Sequence, residues 1–154
     1  MAKFRFDSLL KIREAERQDK KNALLEAQNE LQEIQGRVEL CRYELVESQN
    51  ELRQLYEANS VSPLELQQQR KIHENLRAKY QKLCQGLEKI TIKLEERRIE
   101  LKEAVKEVKT LEMLKEKMEQ RQFNQDKHRS NKEIDDLAIQ QKNIEMQITG
   151  NKQT

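Results

Sequence analysis

The sequence predicts an all-α fold, an antiparallel two-helix coiled-coil hairpin with a C-terminal helix overhang. Three observations predict it. The 154 residues are 38% charged and hold 3 Gly, 1 Pro and no Trp, which is the composition of long helices rather than of a mixed globular core. Apolar residues recur at heptad spacing on both sides of the one proline. The two halves also carry opposite charge at mirrored positions. Disorder is the competing reading for so charged a chain, and the ordered heptads oppose it.

The first helix is expected over about 4–58. Its stripe reads Leu24, Ala27, Leu31, Ile34, Val38, Cys41, Leu45, Ser48, Leu52, Leu55, with Ser48 the one polar member. A stripe this narrow suits one partner helix, not a broad core. The connection is expected at 59–62. Ser62-Pro63-Leu64-Glu65 is a helix start: Ser62 at the cap, Pro63 at the first helical position, Glu65 closing a capping box. Val61 and Leu66 can form a hydrophobic staple across it.

The second helix is expected over about 63–148. Its seam runs Leu66, Gln69, His73, Leu76, Tyr80, Leu83, Leu87, Ile90, Leu94, Arg97, Leu101, Ala104, Val108, Leu111. The short connection favours antiparallel neighbours, which sets residue i opposite about 122 − i. Charge tests this independently. Asn29–Leu52 carries a net −4, and the mirrored Arg70–Lys93 a net +5. Exposed pairs are individually weak, ~0.2–1 kcal/mol. Their collective sign selects an antiparallel partner within the chain and opposes a parallel homodimer.

At ~1.5 Å per residue the first helix covers the second only to about Met118, leaving ~45 Å of further helix. That overhang has its own stripe: Ile134, Leu137, Gln141, Ile144, Ile148. Two readings stand, a frayed amphipathic tail or a binding helix awaiting a partner. The stripe favours the second, because a lone helix in water has no use for one. The N-terminal residues Phe4, Phe6, Leu9, Leu10 and Ile12 fall near Leu111, Leu114 and Met118, as core packing or as a partner-facing patch. Between Arg13 and Asn22 the stripe fades to Ala15, opposite the apolar run Leu101, Ala104, Val105, Val108. That mismatch marks a weak stretch or apolar surface offered to another protein.

Other chemistry is sparse. Gly36, Gly86 and Gly150 are isolated, so there is no phosphate loop. His73 and His128 lack metal-ligand spacing with each other or with Cys41 and Cys84. His73 reads as a polar layer in the seam, and the two cysteines as reduced thiols. No catalytic residue, cofactor site or metal site is expected; a two-helix hairpin offers no concave pocket to shift a pKa. Net charge is +2, which gives no global reason to bind nucleic acid. No apolar run approaches a membrane span and no signal peptide opens the chain, so the cytosol is the expected compartment. Basic excess is local, a net +3 over Met1–Asn22 and +2 over Lys115–Glu133. It fits a solvated face or an acidic protein partner.

These residues together resemble one family. The opening Phe4-x-Phe6-x-x-Leu9-Leu10-x-x-Arg13-x-x-Glu16, the Leu111–Lys117 segment Leu-Glu-x-Leu-Lys-Glu-Lys, and Lys132-Glu133-Ile134-Asp135-Asp136-Leu137-Ala138 follow the order and spacing of FliJ. FliJ proteins are the small coiled-coil components of the bacterial flagellar type III export apparatus. The resemblance implies a stalk whose terminal helices enter the hexameric export ATPase, and which also contacts the export gate protein and substrate chaperones. It implies a place at the cytoplasmic face of the inner membrane, at the flagellar base. It implies an ATPase-facing set of Phe4, Phe6, Leu9, Leu10, Arg13, Arg121, Lys127, Arg129 and Asp135, and a gate-facing set of Tyr43, Tyr56, His73 and Tyr80. The alternatives are a structural tether or scaffold, and the equivalent stalk of a virulence-type secretion system.

Overall fold

The protein is described from a computed structural model over residues Lys3–Lys152. Two helices, α1 (Asp7–Glu57) and α2 (Pro63–Gly150), pack against each other as the predicted all-α hairpin. No residue among those described breaks helical geometry with a cis peptide or a positive φ.

The helix ends refine the sequence boundaries. α1 starts at Asp7 rather than near residue 4, because the chain turns over Arg5–Phe6 and tucks the Phe4 ring inward, 7% exposed. The Asp7 amide donates to the Phe4 carbonyl at 3.2 Å and the Leu10 amide to that of Phe6 at 2.8 Å. The Asp7 carboxylate lies in the first turn, where the helix dipole favours an anion. At the other end, α2 starts on Pro63, as its cap predicts, with the Leu66 amide donating to the Ser62 carbonyl at 3.2 Å. Val61 and Leu66 are both half-buried, as a staple requires. α2 continues two residues past the predicted end, to Gly150.

The chain packs as two units. One is Arg13–Lys106. Within it every predicted seam position, Leu24 to Leu55 on α1 and Leu66 to Ala104 on α2, is buried or half-buried. Cross-helix pairs follow the mirrored register: Glu30 with Lys93 at 3.2 Å, Glu44 with Lys79 at 3.9 Å, Lys20 with Glu100 at 3.2 Å. In each of the first two pairs the acid lies on α1 and the base on α2, as the charge pattern requires. The expected polar layer is present. Ser48 is 4% exposed, and its hydroxyl lies 3.3 Å from His73 Nδ1.

The stretch after Arg13 is not an open apolar face. Ala104 is buried, and Leu101 and Val105 are half-buried. Arg13, Glu14, Glu16, Arg17 and Lys20 of α1 are themselves half-buried there, so long charged side chains shield apolar surface with their stems. The periodicity missed this because it counts only apolar residues.

The second unit joins the chain before Arg13 to the chain after Lys106. Leu10, Val108 and Leu111 form its core, with Val108 wholly buried. Lys115 pairs with Asp7 at 3.4 Å, which closes the same mirrored register. Burial fades along α2 through Met118 and Gln122, and every described residue from Phe123 onward is exposed.

Candidate interaction surfaces

The residues expected to face an ATPase divide by burial. Phe4 and Leu10, at 7% exposure each, face inward. Phe6 and Leu9 remain exposed beside them. The Phe4 and Phe6 rings meet edge to face, with centroids 5.8 Å apart, so the buried ring orients the exposed one. Arg5 lies over the outer ring, its guanidinium carbon 5.9 Å from the centroid. Arg13 belongs to the other unit, where its guanidinium is paired with Glu16 at 2.8 Å.

Arg121, Lys127, Arg129 and Asp135 are all exposed on the overhang, but they do not share a face. At 3.6 residues per turn, Lys127 lies on the edge of the apolar stripe, and Arg121, Arg129 and Asp135 lie roughly opposite it. The stripe itself is longer than the sequence reading had it. Phe123, 68% exposed, starts it and repeats at seven-residue intervals through Ser130, Leu137 and Ile144. Lys127 and Ser130 interrupt the apolar run, which hides this spacing from a count of apolar residues. Ile139 and Met146, also exposed, continue the register of Leu111 and Met118 and fall on the other face. The overhang therefore presents apolar side chains on two faces, with charge between them.

The residues expected to face an export gate lie wholly in the Arg13–Lys106 unit. His73 and Tyr80 come together, lining one shallow open groove with Arg42, Leu45, Val46 and Arg77. Tyr43 and Tyr56 do not line it. Both are exposed, and Tyr56 accepts from Arg70 Nε at 2.8 Å through its hydroxyl, with the guanidinium over its ring. The Cys84 side chain beside Tyr80 raises its phenol pKa above the usual value. Cys41 is 1% exposed and its thiol donates to the Leu76 carbonyl at 3.7 Å; burial pushes its pKa up. Both cysteines are free thiols. Glu100, hydrogen bonded by Lys20 and then Arg97, is held below the usual carboxylate range.

Among the described residues, no three His, Cys, Asp or Glu side chains gather as a metal site, and no helix is long and apolar enough to cross a membrane. Paired long helices with exposed apolar and charged ends define a coiled-coil interaction protein. The chain belongs to the FliJ family: the family model described as flagellar FliJ protein matches residues 1–145. It is thus a member of a family of non-catalytic coiled-coil components associated with flagellar type III export. No curated protein and no solved structure matches it.

Proposed function

We propose that this protein is a non-enzymatic central stalk of the flagellar export machinery. It docks in the hexameric export ATPase, modulates hydrolysis there, and links that ring to the export gate and to substrate chaperones. It acts in the cytoplasm, held peripherally at the membrane by its partners. The observation that carries this reading is the overhang. From Phe123 onward all described residues are exposed, and large apolar side chains occupy two faces of one helix. A single partner helix would need one face; the inside of a ring can contact both.

The ATPase-facing surface is then Phe6 and Leu9, held from beneath by Phe4 and Leu10, together with Lys127, Arg121, Arg129 and Asp135 on the overhang. The basic excess around Lys115–Glu133 suits an acidic socket. Arg13 contributes through its own pairing with Glu16. The gate-facing surface is the groove of His73 and Tyr80, with exposed Tyr43 and Tyr56 as outlying contacts.

The test is the hydrolysis rate of the purified export ATPase with and without this protein, alongside a pull-down of the same pair. Stimulation by the wild type is expected, with loss in a truncation after Met118 and weakening in Phe6→Ala/Leu9→Ala. Unchanged hydrolysis together with unchanged capture by both variants returns the protein to the tether or scaffold reading.

A further inference from the structure

The stripe of the overhang has an internal symmetry that the ring reading does not use. Its positions are Phe123, Lys127, Ser130, Ile134, Leu137, Gln141, Ile144 and Ile148. Reflected about the point between Asp135 and Asp136, Ile134 falls on Leu137, Ser130 on Gln141, Lys127 on Ile144 and Phe123 on Ile148. Apolar layers meet apolar layers at the centre and at both ends, and the two uncharged polar layers meet each other.

A symmetric dimer needs this property, a surface complementary to itself under a two-fold rotation. In an antiparallel pair each first-type seam position packs against a second-type position of the other helix, which this reflection provides. Lys127 would then lie against Ile144 of the second copy with Glu145 next to it, an opposite charge in reach, and the pairing occurs twice by symmetry. The flanking positions Asn124, Asp126, Asn131, Glu133, Ala138, Gln140, Glu145 and Gln147 bring no two like charges together in that register. A parallel in-register pair would instead stack Lys127 on Lys127, which costs stability.

We infer that the overhang pairs with the overhang of a second copy of this chain, antiparallel, about an axis between Asp135 and Asp136. The exposed supply is sufficient. Phe123, Ile134, Leu137, Ile144 and Ile148 are each at least 55% exposed, and ten such side chains from two copies, at roughly 100 Å² apiece, reach the ~1,000 Å² that a specific interface needs. The inference does not rest on the ring reading. The two use overlapping faces of one helix, so ring docking and self-pairing are competing states of the same segment.

The experiment uses the full chain. Sedimentation velocity over a concentration series is expected to show reversible dimerisation. Carbodiimide coupling of mixed isotopically light and heavy protein should join Lys127 of one chain to Glu145 of the other. Within one chain those residues are ~27 Å apart along the helix, so that product reports only the dimer. Ile134→Asp/Leu137→Asp should abolish association. Lys127→Glu should weaken it, and Lys127→Glu combined with Glu145→Lys should restore it. A chain that stays monomeric at every concentration overturns the inference. So does a dimer indifferent to Ile134→Asp/Leu137→Asp, or one lacking the Lys127–Glu145 product.

Discussion

Leu94 and Leu137 lie on the same helix, each on a heptad stripe, yet one is 6% exposed and the other 61%. In the Arg13–Lys106 unit the stripe of α2 is met by α1, position for position. Past Phe123 a stripe of the same spacing meets nothing among the described residues. The difference separates two sources of helicity. Where the stripe is covered, packing of an amphipathic face supplies most of the stability. Where it is not, the helix rests on intrinsic propensity and local side-chain pairs, which are weak per residue.

The sharpest way to break the contrast is to place one charge in each region. Val108→Asp buries an unpaired carboxylate at a wholly enclosed site and should cost at least ~3 kcal/mol in denaturant unfolding. Leu137→Asp, at dilutions where the chain is monomeric, should stay within about ±0.5 kcal/mol. Equal losses from the two would mean that the overhang is packed in the free protein.

The polar layer comes next. Ser48→Ala/His73→Leu replaces a hydroxyl–imidazole contact in the seam with apolar packing and should raise stability by ~1–2 kcal/mol. The same variant should loosen register, seen as new cross-link partners for residues near Cys41. Smaller again is Gly36→Ala. A Cβ there meets nothing within 4 Å, so only propensity acts, ~1 kcal/mol of added stability in the main unfolding transition. Asn131→Ala in the overhang should raise the helical circular dichroism signal and leave that transition where it is.

The smallest effect is in pH dependence. Hydrogen bonds from Lys20 and Arg97 hold Glu100 below its unfolded value. Its contribution is therefore present above the unfolded pKa and is lost as pH falls through the folded one. In Glu100→Gln that part of the acid-side decline in melting temperature should disappear. An identical acid profile in the variant would show that the Lys20 and Arg97 contacts carry no net stability.

Much of the fold was legible because the coiled coil writes itself in one variable, the spacing of apolar residues. The seam positions from Leu24 to Leu55 and from Leu66 to Leu111 are all buried or half-buried, and the mirrored charges set the register without any geometry. What escaped the pattern was set by other forces. Phe4 leaves the helix because ring burial outweighs the one extra turn that α1 would gain. The Arg13–Lys20 face closes over Ala104 with aliphatic stems that a hydropathy reading scores as polar. In the candidate surfaces, the family resemblance implied the charged residues of the overhang but not how they are distributed around the helix. It also could not tell that Phe4 supports Phe6, since both are aromatic and only burial distinguishes them.

The Asp7–Lys115 pair and the Leu10–Val108 contact have a consequence in time. Pairs beside the turn, such as Tyr56 with Arg70, close short loops, and loop closure grows costlier with length. A chain with this connectivity zips outward from Pro63, so the residues before Arg13 are among the last to find their place. Until Val108 and Leu111 have been made, Leu10 lacks its core partners, and during that interval the segment before Arg13 is open to capture by a holding factor.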